Sequence, residues 1–148
     1  MSNSYRFLDR QFVIEICQSV LASIDKKTDI LWKQAEIDIR NEVRATRLKK
    51  SKFSWNNLLP TKYVEPSDEE IQYIMNHSSI DFWEWRRSSC PAVWITGSRA
   101  PYRHVQMTAS NVLRLAEFEP GARDIAITTE DWRLIQIGVD LHESLRQS

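Results

Sequence analysis

The sequence predicts a mainly α protein: a bundle-like domain of four or five helices with long loops, a minor β element and an extended C-terminal helix. Three observations predict it. Apolar residues recur at the three-to-four spacing of a helix face along much of the chain. Helix-start signals, one at Ser67 to Glu70 and one at Thr128 to Asp131, precede two of these stretches. Only 3 glycines occur in 148 residues, too few for an all-β chain that turns every ~8–12 residues and for a glycine-rich phosphate loop.

Leu8, Phe12, Val13, Ile16, Val20, Leu21 and Ile24 form one face of a first helix, which Asp25-Lys26-Lys27 is expected to break. Thr28 or Asp29 then caps a second helix reaching about Leu48, with Trp32, Ala35, Ile39 and Val43 as its inner stripe. The chain is basic at Arg44, Arg47, Lys49, Lys50 and Lys52, then aromatic and loop-like from Phe53 and Trp55 to Pro60. Ser67 and Glu70 have capping-box spacing, and Ile71, Ile74, Met75, Phe82 and Trp85 continue on one side until Pro91 ends the element. Residues 92–96 read as a short strand or an extended connector.

Ser98 and Pro101 supply the cap and first turn of a further helix, whose stripe is Tyr102, Val105, Ala109, Val112, Leu113 and Ala116. Pro120-Gly121 stops it. Ile125 and Ile127 alternate with small or polar neighbours, and Thr128-Thr129-Glu130-Asp131 nucleates a last helix through Leu145. In that helix Trp132, Ile135 and Val139 lie on one side, and Leu134, Ile137, Leu141 and Leu145 toward another. Such a helix either docks one face on a partner or is buried on two sides of its own domain. The domain reading is a helical domain over 1–121 followed by a connector and docking helix over 122–148.

With 42% apolar and 27% charged residues the chain is composed like a folded globular protein. Its net charge is zero, but residues 1–62 carry 12 Lys/Arg against 7 Asp/Glu, a net +5, which leaves −5 for the remainder. That asymmetry suits head-to-tail association, phosphate contact, or neutralisation within the chain. Cys17 and Cys90 lack metal spacing, as expected of thiols in a reducing compartment. The N-terminal residues do not resemble a signal peptide and no run approaches 18 apolar residues, so no membrane association is expected.

Chemistry is not evident. His77, His104 and His142 are far apart, and neither HExxH nor CxxC occurs. The acids at 68–70 and 130–131 sit where carboxylates stabilise a helix start. Gly97-Ser98 lacks the rest of a nucleophile turn. The expectation is therefore no enzyme, no metal and no cofactor. The basic stretch Arg44, Arg47, Lys49, Lys50 and Lys52, with Phe53 and Trp55 after it, fits contact with DNA or a neighbouring subunit, or a solvated helix end whose cations face the C-terminal dipole.

Three stretches together resemble the head-to-tail adaptor, or connector, proteins of tailed bacteriophages. Ala35-Glu36-Ile37-Asp38-Ile39-Arg40-Asn41-Glu42-Val43 is similar to the family's second helix, and Ser79-Ile80-Asp81-Phe82-Trp83-Glu84-Trp85-Arg86-Arg87 to its Ile-Asp helix with aromatics and arginines. The run from Tyr102-Arg103 through Ala109, Val112-Leu113 and Leu115-Ala116 to Pro120-Gly121 is similar to its closing helix. The 49–64 and 92–99 connectors and the helix after Thr128 are longer than the family pattern. The resemblance implies a virion neck component forming a ring, commonly of twelve copies. Its implied partners are itself, the portal protein, a tail-side neck or tail terminator protein, and DNA in the lumen without sequence specificity. Trp132, Leu134, Ile137, Leu141, Leu145, Trp55 and Phe53 are the candidate partner-binding residues under this reading. The alternative is a small helical DNA-associated, regulatory or inhibitor protein of a phage.

Overall fold

The computed structural model describes residues 4–52, 63–77, 90–97 and 100–147, without the side chains of residues 50–52. It is mainly helical, with five helices and one small antiparallel sheet among the described residues. The elements are β1 (Tyr5–Asp9), α1 (Arg10–Lys52), α2 (Asp68–Asn76), α3 (Pro91–Ile95), α4 (Arg103–Phe118), β2 (Asp124–Thr128) and α5 (Thr129–Arg146). They form two compact units, one of Met1–Asp29 with Ala100–Ser148 and the other of Ile30–Arg99. The units do not divide at 121/122. Residues 122–148, expected to follow a separate domain, belong to the same unit as α4.

The expected break at Asp25-Lys26-Lys27 is absent, and α1 is a single helix of 43 residues. Neither proline nor glycine occurs between Arg10 and Lys52, and a charged triplet whose side chains reach water does not interrupt the backbone hydrogen-bond ladder. Leu8, read as helical, lies instead in β1. The helix starts one residue after Asp9, whose carboxylate accepts the Phe12 N–H at 3.1 Å in the manner of an N-cap.

In the first unit, α1 contributes Val13, Cys17, Val20 and Ile24 to a core shared with Val105, Ala109, Val112 and Ala116 of α4 and Ile135 and Leu141 of α5. The β1–β2 ribbon pairs Tyr5 with Thr128 through Asp9 with Asp124. Because side chains alternate across a strand, Ile125 and Ile127 turn inward with Leu8 while Tyr5, Phe7 and Ala126 turn outward. Arg10 closes the unit, its N–H donating to Arg123 O at 2.9 Å and its Nε to Ala116 O at 2.7 Å. Burial pushes the Cys17 thiol up to about 11, so it behaves as a small apolar side chain.

In the second unit Ala35, Ile39 and Val43 of α1 pack with Ile71 and Met75 of α2 and Ile95 of α3. Ser67 caps α2, accepting the Glu70 N–H at 3.2 Å. Of residues 92–96, expected to be a strand or an extended connector, 92–95 belong to the short helix α3 and Thr96 is its C-cap. Pro91, expected to end the element before it, is the first residue of that helix, since a fixed φ and a missing N–H suit a first helical position; what precedes it, residues 78–89, lies outside the described residues. Gly97 follows the C-cap Thr96, and a Cβ there would lie 2.8 Å from Val93 O. Phe82 and Trp85 lie outside the described residues.

Candidate interaction surfaces

Three arginines toward the basic end of α1 are engaged within their own unit. Arg40, Arg44 and Arg47 recur at helical spacing and meet the extended segment that leads into α2. Arg40 donates to Asp68 Oδ1 at 2.5 Å and Pro66 O at 3.2 Å, and Arg44 Nε to Glu65 Oε1 at 2.6 Å. Arg47 pairs with Glu70 and donates to Val64 O at 3.0 Å. The candidate subunit or DNA contacts Arg44 and Arg47 are thus neutralised by their own chain. Lys49 stays exposed, whereas the side chains of Lys50 and Lys52, together with Phe53 and Trp55, lie outside the described residues.

This ladder is sensitive to acid. The Arg44 guanidinium, then the Tyr63 hydroxyl donating at 2.7 Å, hold the Glu65 carboxyl below the usual carboxylate range. The hydrogen bond to Glu65 raises both Arg44 and Tyr63. A depressed carboxylate contributes stability above its unfolded pKa and loses it as pH falls through the folded value. Raised groups contribute below their unfolded pKa and lose it only at high pH. Acidification through the lower carboxylate range is therefore expected to release Tyr63, read as a shift of its ring signals toward the free-tyrosine position. Glu65→Gln is expected to remove that transition; its persistence in the variant would show that Glu65 does not govern it.

The candidate docking residues of α5 are mostly engaged at home. Leu141 is 5% exposed in the core, and Trp132, Leu134 and Leu145 pack against that core. Among these candidates only Ile137, 44% exposed, faces solvent. The apolar groups on two sides of α5 are explained by helix neighbours on two sides. Gly138 lets the helices approach: a Cβ there would collide with Val20 Cγ1 of α1 and lie 3.1 Å from Val105 Cγ1 of α4.

The exposed apolar groups lie elsewhere. On α4, Met107 and Phe118 lie opposite Val105, Ala109, Val112 and Ala116, with Leu115 on the flank beside them, and Phe118 is 83% exposed. The outer side of the ribbon presents Tyr5 and Phe7, the latter 71% exposed. In the second unit Ile30 and Ile37, seven residues apart on α1, face away from Ala35, Ile39 and Val43. Sequence reading missed all three faces. The α4 residues fell outside the strongest stripe, and Tyr5 and Phe7 precede the first periodic run.

Compared with protein-family models, curated proteins and solved structures, the chain matches none. Among the described residues, no three His, Cys, Asp or Glu side chains are grouped as a metal site would require. No helix among them is long and apolar enough to cross a membrane.

Proposed function

We propose that the chain is a structural virion protein of the head-to-tail adaptor type. It forms a ring with copies of itself, with the portal on one side, tail-side neck proteins on the other, and DNA passing through the lumen. The observation that carries this reading is the presence of two outward apolar faces on the first unit, Tyr5 with Phe7 and Met107 with Leu115 and Phe118, in a unit that already has its own core. Exposed apolar faces mark protein contacts, and aromatic side chains are favoured anchors. Two different faces suit heterologous contact, in which each subunit applies one face to another surface of its neighbour. The order of the three sequence stretches supports an adaptor among assembly proteins; the second of them, residues 79–87, lies outside the described residues. Pairing of Arg40, Arg44 and Arg47 with their own chain favours a protein contact over a DNA-binding role.

Light scattering on the purified chain is expected to give an oligomer, which Phe7→Ser or Phe118→Ser reduces toward the monomer. Both side chains are exposed, so neither change empties the core. Quantitative mass spectrometry of washed virus particles from the source is expected to find the chain at a copy number near that of the portal. Its absence from particles, or an oligomer indifferent to both substitutions, would overturn the reading.

A further inference from the structure

A cleft of about 260 Å³ opens between α1 and α5 in the first unit. One wall is Ser19, Ala22, Ser23 and Lys26, at helical spacing along α1. The other is His142, Leu145 and Arg146 on the last turns of α5. Among the described residues no carboxylate lines it. Ser23, only 5% exposed, shares a hydrogen bond of 2.8 Å with His142 Nδ1. That bond satisfies the buried hydroxyl and orients the imidazole, leaving Nε2 as the ring nitrogen available to a ligand.

We propose that this cleft binds a small oxyanion of the phosphate class, inorganic phosphate or a phosphomonoester. Lys26 and Arg146 bring two cations to its rim, and Ser19 adds a hydroxyl that donates to an anionic oxygen as readily as to water. Arg146 also meets Glu143 at 3.6 Å, but both side chains are more than half exposed. Such a long surface pair contributes little and leaves guanidinium donors for a ligand. The volume accommodates a phosphate with a small organic group: the lining is mostly apolar, with Ala22 and Leu145 available to the organic part and the few polar groups to the oxyanion, the general form of a ligand pocket. The proposal is independent of the ring reading, since the cleft lies in one subunit and uses none of the outward apolar faces.

The test is titration of the full chain with inorganic phosphate and with phenyl phosphate at constant ionic strength, followed by calorimetry and by amide shifts of residues 19–26 and 142–146. Saturable binding with shifts confined to those two segments is expected. Lys26→Gln and Arg146→Gln are each expected to weaken it by about tenfold, equivalent to ~1.4 kcal/mol, and the double variant to abolish it. Both side chains lie at the surface, and an unchanged amide spectrum elsewhere confirms that the variants fold. Shifts that fail to saturate, that chloride reproduces, or that persist in the double variant would overturn the proposal.

Discussion

Deleting residues 130–148 is expected to unfold the first unit. The deletion removes Ile135 and Leu141 from the core and Trp132, Leu134, Val139 and Leu145 from its margin. It also removes Asp131, whose N–H is held by the Thr128 cap at 3.1 Å. At roughly 1.5–3 kcal/mol for each fully buried large apolar side chain, and somewhat less for the half-buried ones, the loss is comparable to the whole ~5–15 kcal/mol that holds a domain together. A docking arm would instead leave a folded remainder. Circular dichroism and amide dispersion of the truncated chain distinguish the two: cooperative unfolding with dispersed signals from β1 and α4 would show that α5 is dispensable to the fold.

Gly138→Leu is expected to destabilise the same unit by about 3 kcal/mol, the upper end of overpacking effects. Val20 is fully buried and branched at Cβ, so the methyl that the new side chain meets has little room to turn away. Gly138→Ala provides a graded comparison, because the gain of about 1 kcal/mol in helix propensity offsets part of the clash. Denaturant midpoints are expected to fall in the order glycine, alanine, leucine. A leucine variant as stable as the original chain would mean that α1, α4 and α5 are packed less closely than the distances indicate.

Where one face of an element is covered by partners close in sequence or regular in spacing, the sequence disclosed it. The stripe Val105, Ala109, Val112 and Ala116 is buried along α4 as its period predicts. Ser67 and Thr128 cap the helices they precede, accepting from Glu70 and Asp131. Ile125 and Ile127 form the inner side of a strand, as their alternation suggests. What failed needed knowledge of distant partners. Asp25-Lys26-Lys27 looks like a boundary unless the helix is known to continue into a second unit, and Leu8 fits the helix period until β2 is there to pair with it. Charge asymmetry was legible, but its resolution in pairs such as Arg40 with Asp68 depended on a chain reversal that no local pattern encodes. For the same reason α5 looked like a docking helix: two apolar sides in a sequence do not tell whether the second neighbour belongs to the same chain.

The ribbon joins chain segments made at very different times. Tyr5 pairs with Thr128, and Ser4 O accepts the Thr129 N–H at 3.0 Å. At a synthesis rate of ~5–20 residues per second, on the order of ten seconds separates emergence of the two strands from a ribosome. During that interval Val13, Cys17, Val20 and Ile24 exist without α4 and α5 to cover them. The first unit therefore closes after translation has passed β2 and α5, and its early helix is a natural client for chaperones that shield nascent apolar surface. The second unit, drawn from the intervening residues 30–99, can collect its own core before that closure. The order of folding thus inverts the order of synthesis: the segment made first is completed last.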